Sequence, residues 1–207
     1  MDLVVDHQGV EDPQAHGNFM IKKIKINKKK LRTLEPTKNP FQSLVRSIIF
    51  QQLSGKAATS ILNKFVLLFK PKKFPTPKDI LKLSDSQFKS AGVSAQKASY
   101  LRDLSIKFLD GTINPKKFSK MSDSEIEEHL VRVKGIGTWT AHMFLIFALN
   151  RPDVLPTGDL AIRKGFMKVF GLRSEPSHEK MVLLARPHNG QRTYLSLHLW
   201  GVMDESK

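Results

Sequence analysis

From Pro40 onward the chain alternates apolar and polar positions with a helical period. Phe41, Leu44, Val45, Ile48 and Ile49 recur at three- and four-residue steps, as one buried helix face requires. Ala57, Ala58, Ile61, Leu62, Phe65 and Leu68 repeat the pattern and predict a second helix that ends before Pro71. The run Pro71-Lys-Lys-Phe-Pro-Thr-Pro77 cannot be a helix interior, because proline lacks the amide donor and clashes with the preceding turn. Beyond it the spacing predicts helices over 77–82, 84–91, 94–109 and 122–131. Ser84 and Ser122 stand at N-cap positions, and Ser122 has Glu125 three residues on, a capping-box pattern. The run 138–150 is apolar on most faces (Ala141, Met143, Phe144, Leu145, Ile146, Phe147, Ala148, Leu149), as a central buried helix should be. Helices over 159–169, 177–185 and 191–203 complete the pattern. No alternating strand pattern occurs, so the expected fold is all-α. One domain over 39–203 is expected between a basic N-terminal segment, 1–38, and a short tail, 204–207.

The N-terminal segment lacks a sustained period, carries Gly9, Pro13 and Gly17, and is expected to be disordered. Its lysine-rich part, Ile21 to Arg32, reads as a solvated basic tail, a nuclear-localisation patch or a DNA-binding arm.

Charge narrows the choice of partner. Among 207 residues, 34 Lys and Arg face 19 Asp and Glu, a net charge of +15. Such an excess favours polyanions through counterion release, with nucleic acid the default. A membrane is the rival, but no apolar run approaches the roughly 18 residues that a spanning helix needs. The absence of cysteine excludes a disulfide scaffold, a cysteine-based zinc site and an iron–sulfur cluster. No spacing of acidic and histidine residues suggests a dedicated metal site.

The chemistry concentrates in Val133-Lys-Gly-Ile-Gly-Thr-Trp-Thr-Ala141 and Leu155-Pro-Thr-Gly-Asp159. Helix 122–131, a turn over Lys134, Gly135, Ile136 and Gly137, and helix 138–150 form a helix–hairpin–helix pattern. Glycines at 135 and 137 permit torsions that side chains forbid and let a phosphate approach exposed amides at a helix N-terminus. Thr138 and Thr140 add hydroxyl donors. Asp159 opens the next helix, where aspartate is a preferred N-cap. A carboxylate held there also stabilises positive charge nearby, and the two roles are compatible. His142, inside an apolar helix, reads as a satisfied core histidine rather than a base.

The run from Gly135 to Arg163 resembles the helix–hairpin–helix–Gly/Pro/Asp signature of the HhH-GPD DNA glycosylase superfamily. Gly135-Ile-Gly-Thr-Trp-Thr-Ala141 and Asp153-Val-Leu-Pro-Thr-Gly-Asp159 are most similar to its 3-methyladenine DNA glycosylase II (AlkA-like) branch. Ser43-Leu-Val-Arg-Ser-Ile-Ile-Phe-Gln-Gln-Leu-Ser-Gly-Lys-Ala-Ala58 and Ala91-Gly-Val-Ser-Ala-Gln-Lys-Ala-Ser-Tyr-Leu101 match the same branch, and the likeness spans residues 40–172.

The resemblance implies two helical subdomains with a lesion cleft between them, and a monofunctional glycosylase that hydrolyses the N-glycosidic bond of alkylated purines in double-stranded DNA. Asp159 matches the essential aspartate, supporting an oxocarbenium-like sugar as the base leaves. Trp139 stands where lyase relatives carry a Schiff-base lysine, so a lyase step by that route is not expected. Trp139, Trp200 and Met143 match pocket positions, where indole rings attract a cationic base; Trp200 also reads as a core residue. Gln51, Gln52 and Leu53 match the loop that fills the gap left by an extruded nucleotide. Lys56 and Lys97 are expected at phosphates or as plain surface lysines. No cofactor is implied, although hairpins of this family can hold a monovalent cation. A monomer is expected, in the nucleus if eukaryotic and otherwise in the cytoplasm.

Two stretches depart from the family pattern. A lysine-rich segment stands before residue 40 in place of a helix, and Ala185-Arg-Pro-His-Asn-Gly-Gln-Arg192 replaces a compact aromatic run. They leave a second reading, a non-catalytic or weakly active binder of damaged or abasic DNA. An adenine-mismatch or oxidised-base enzyme is disfavoured by the missing cysteines and by Trp139.

Overall fold

The computed structural model describes residues 23–31 and 33–204, and among them ten α-helices, three short 3-10 turns and no strand occur. The helices are α1 (Pro40–Phe50), α2 (Gly55–Leu67), α3 (Pro77–Leu81), α4 (Asp85–Ser90), α5 (Ala95–Leu109), α6 (Asp123–Leu130), α7 (Thr138–Phe147), α8 (Leu160–Phe170), α9 (His178–Ala185) and α10 (Arg192–Asp204). Most begin where a short polar side chain can take up a free amide. Ser84 with Gln87 and Ser122 with Glu125 form reciprocal capping boxes, and so do Thr76 and Asp79. Each such cap is worth about 1 kcal/mol.

The apolar stripes converge on two clusters. The larger gathers the buried faces of α1 to α7, with Ile48, Phe65, Leu101, Ile126 and Phe144 at its centre. The smaller joins α8, α9 and α10 through Ile162, Phe166, Met181 and Leu199. Trp200 packs against both. In the second cluster α8 and α10 cross closely because Gly165 has no side chain. A Cβ there would stand 2.9 Å from Leu199 Cβ and 3.1 Å from its carbonyl oxygen. That close crossing brings Trp200, the residue after Leu199, towards the start of α8.

Two expectations change. The apolar run 138–150 is helical only to Phe147, since Asn150 adopts a left-handed φ of 53° and the Arg151 amide turns back to Leu145 O. Residues 23–31 lie against the smaller cluster instead of standing free. Ile24 and Ile26, two residues apart, pack inward while Lys23 and Lys25 stay exposed. The Ile24 amide donates to His188 Nε2 at 3.3 Å, and Lys28 donates to Gln191 at 2.8 Å and lies over the Tyr194 ring. The two stretches that depart from the family pattern thus pack on each other. Residues 1–22 and 32 of the expected N-terminal segment lie outside the described residues.

Candidate active site and nucleic-acid interface

The turn between α6 and α7 is fixed from α5. Lys134 N–H donates to Asp103 Oδ2 at 2.8 Å, and Gly135 lies so near the Tyr100 ring that a Cβ would come within 2.1 Å of it. Burial works to raise the Asp103 carboxyl, but bonds from the Lys107 ammonium and the Lys134 amide hold it below its ordinary value. Gly135 has a φ of 78°, which glycine adopts without strain. Gly137 differs from the expectation: its φ of −98° is open to any residue, and a Cβ there would meet nothing within 4 Å. Its contribution is to start α7 with no side-chain capping bond, leaving the first-turn amides for an anion.

The hairpin side chains divide. Lys134 and Thr138 are exposed. Ile136 is buried and anchors the turn from within, and Thr140, 6% exposed, lies in the wall of the cleft described below, so neither stands on the hairpin's outer surface as a phosphate donor.

The segment ending in Asp159 is braced by α10. Asp153 takes a bidentate contact from Arg192, Nε and Nη2 each at 2.8 Å. Thr193 Oγ1 accepts from Val154 N–H and donates to Arg151 O, and the buried Ser196 hydroxyl donates to Val154 O. Burial works to raise the Asp153 carboxyl, and the Arg192 guanidinium outweighs it. Thr157 Oγ1 lies 2.8 Å from His178 Nδ1.

Asp159 itself accepts three hydrogen bonds. Oδ1 caps α8 through Ile162 N–H at 2.9 Å and takes the Trp200 indole N–H at 3.1 Å, while Oδ2 takes the Trp139 indole N–H at 2.7 Å. The cap of α8 and both indole bonds therefore fall on one carboxylate, fixed in a single orientation.

A cleft of about 1010 Å³ adjoins it, lined by α1, the Gln51–Leu53 loop, the start of α5, the hairpin and α7. Trp139, half-exposed at 49%, and Met143 line it. Trp200 does not, because its ring stacks on Phe147 with centroids 5.6 Å apart, and Phe147 is the ring that reaches the cleft. Asp159 is not a lining residue either and meets the cleft through the edge of Trp139. The lining comes wholly from residues 43–53, 96–100 and 135–148, so this cleft is walled by elements of the larger cluster alone.

The family described as "HhH-GPD superfamily base excision DNA repair protein" matches residues 45–186. This chain belongs to that family. It is 35% identical over 164 residues to the DNA-3-methyladenine glycosylase 1 of Schizosaccharomyces pombe, covering 79% of this chain and 72% of the relative. A second S. pombe relative, the alkylbase DNA glycosidase-like protein mag2, is 33% identical over 172 residues, 82% of this chain and 81% of the relative. Among solved structures, a DNA-3-methyladenine glycosidase from Bacillus halodurans superposes with a TM-score of 0.76 at 32% identity, covering 82% of this chain and 78% of that one. The S. pombe 3-methyladenine DNA glycosylase in complex with abasic DNA gives 0.67 at 34% identity, covering 82% and 85%.

Within this family fold, the loop after α1 is exposed and close to the hairpin. Gln51 Nε2 donates to Gly135 O at 2.7 Å, Gln52 takes a left-handed φ of 55°, and Leu53 is 39% exposed. Lys97 departs from the expected phosphate contact. Its ammonium turns inward, donating to Ile49 O at 2.7 Å and Gln51 O at 2.8 Å, and so closes the C-terminus of α1. Burial lowers its pKa from the ordinary lysine value. Lys56 is exposed on the first turn of α2, at the edge of the same loop. His142 pairs with Glu127 Oε2 at 3.2 Å, partly buried. Among the described residues no group of three or more His, Asp or Glu could hold a metal ion, and no helix is long and apolar enough to cross a membrane.

Sequence reasoning missed Arg46, Phe50, Tyr100 and Phe147 as cleft residues. A signal for two of them exists. Ser43, Arg46, Ser47 and Phe50 follow helical spacing on the face of α1 away from its buried stripe.

Proposed function

We propose that this protein is a monofunctional DNA glycosylase of base excision repair, hydrolysing the N-glycosidic bond of alkylated purines such as 3-methyladenine and leaving an abasic site. The observation that carries the reading is the Asp159 carboxylate, gripped by two indole N–H groups beside an aromatic cleft. A purine alkylated at N3 or N7 carries positive charge and leaves readily. What remains is to stabilise the cationic sugar, and a preorganised carboxylate does this without having to reorient. The names of the relatives support the substrate class, and the superposition on a complex with abasic DNA supports the product.

The hairpin amides grip phosphate, Leu53 with Gln52 fills the stack, and Trp139 presents its face to the extruded base. No lysine stands at Trp139, so the sugar is released by water rather than by an amine. The turn from Val133 to Gly137 offers main-chain carbonyls and no carboxylate side chain, a donor set suited to a monovalent cation shared with phosphate. The Gly135 carbonyl accepts from Gln51, that of Val133 from the Ile136 amide and that of Gly137 from the Ala141 amide, and each keeps a second lone pair with which to meet a cation. The protein acts as a monomer on DNA, in the nucleus of a eukaryote or the cytoplasm otherwise.

The test is release of free base from methylated duplex DNA, followed by borohydride trapping. Released base with no trapped covalent complex is expected. A trapped complex contradicts the monofunctional assignment, and binding without any release returns the protein to the non-catalytic reading.

A further inference from the structure

The cleft wall carries positive charge and no negative one. Of its lining side chains only Arg46 and Lys97 are charged, and no carboxylate is among them. The Lys97 ammonium is occupied by the carbonyls of Ile49 and Gln51. Arg46 is the cation left facing the cavity. Its guanidinium lies over the Phe50 ring, 4.4 Å from the centroid, on the stripe of α1 that also presents Ser43 and Ser47. Tyr100, Trp139, Met143 and Phe147 supply the rest of a largely neutral and aromatic lining.

A guanidinium has donors only and cannot be neutralised by losing its proton. In the open cleft water screens it. When an extruded base fills the cavity and displaces that water, its field acts through a lower dielectric. Arg46 then repels a cationic base, against the attraction of the aromatic rings and of the Asp159 carboxylate behind Trp139. A neutral base of the same outline meets no repulsion and can accept from the guanidinium through a carbonyl or ring nitrogen.

We infer that Arg46 is a specificity-determining residue that disfavours cationic purines relative to neutral ones of the same shape and donates to an acceptor edge of the base. This rests on the glycosylase reading, since it requires a base to enter the cleft. Cationic bases leave easily on their own, whereas neutral lesions do not. A wall charge that favours the neutral ones extends the range of bases accepted to uncharged purine lesions bearing a C6 carbonyl or a free ring nitrogen.

The test separates charge from shape and from catalysis. Two duplexes carry either 7-methylguanine or its neutral isostere 7-methyl-7-deazaguanine, each on a sugar fluorinated at C2′ so that the bond resists cleavage. Affinities are measured for the wild type, Arg46→Gln and Arg46→Glu across a salt series, with melting temperatures as the control for folding. Removing the guanidinium should shift the affinity ratio towards the cationic base by about tenfold, and reversing the charge should shift it further. A ratio unchanged within twofold overturns the inference. So does uniform weakening of both duplexes with a salt slope smaller by about one, which marks a phosphate contact. Because these sugars cannot be cleaved, failure to release base from ordinary methylated DNA would remove the glycosylase reading without deciding this one.

Discussion

The indole N–H of Trp139 donates to Oδ2 of Asp159 across 2.7 Å, joining the helix after the hairpin to the cap of α8 twenty positions later. One ring thus lines the cleft and holds the carboxylate. Trp200 fixes the other oxygen at 3.1 Å from a different helix. Replacing either tryptophan with phenylalanine keeps an aromatic face and deletes one bond to the carboxylate. A charge-assisted bond of this kind is worth about 1.5–3 kcal/mol. Single-turnover base release should fall roughly tenfold to hundredfold in each variant, with affinity for abasic duplex nearly kept. Because both rings act on one carboxylate, the double variant should lose less than the product of the two. Full multiplicativity would show that the rings act separately.

The two hairpin glycines serve different ends. Gly135→Ala forces a Cβ into the Tyr100 ring at a φ of 78°, so overpacking and left-handed strain should together cost about 2–5 kcal/mol. Gly137→Ala meets open space in ordinary torsions and should cost about 1 kcal/mol or less. Chemical denaturation of the two variants reads the contrast. Equal losses would place the constraint elsewhere than in the Tyr100 contact.

Lys97 should behave as a positioning residue. Lys97→Met removes two bonds that close α1 and hold the Gln51–Leu53 loop. Discrimination between lesion-bearing and undamaged duplex should weaken while the salt slope stays the same. A slope reduced by about one would mean that the ammonium reaches phosphate after all.

His188 sets a pH dependence of stability. Its Nε2 accepts from the Ile24 amide, and burial, with Lys23 and His198 nearby, lowers its pKa below the ordinary 6.5. The unfolded chain then binds the proton more readily than the folded one. Stability from this group is complete above pH 6.5 and is lost as pH falls towards the lowered value. His188→Gln keeps an acceptor but does not titrate. Its melting temperature should fall less than that of the wild type between pH 7 and pH 5, and identical pH profiles would remove His188 from the account.

Much of this was legible in the chain. The three- and four-residue spacing of apolar positions gives the helices because burial of one face is what stabilises them. The Ser and Asp caps mark their starts, and Asp159 announces itself as a cap and as a carboxylate with one stroke. What the spacing does not carry is contact between distant segments. Nothing local says that Lys97 turns to α1, that Gln51 reaches Gly135, or that Trp200 stacks on Phe147 instead of facing the cleft. These depend on how the helices cross. The Ile24 and Ile26 alternation was present but lay hidden among lysines, since two apolar residues are too few for a periodic signal. The end of α7 at Phe147 was equally hidden, because Ala148 and Leu149 remain apolar whether or not they are helical.

The most direct measurement is single-turnover release of 3-methyladenine from methylated duplex by the wild type and by Asp159→Asn. Asparagine keeps the shape and an acceptor oxygen for the cap but removes the negative charge beside the cleft. Release by the variant should be slower by about a hundredfold to a thousandfold, with binding to abasic duplex retained. Equal rates for the two proteins would contradict the central claim that the charge of Asp159 drives the chemistry.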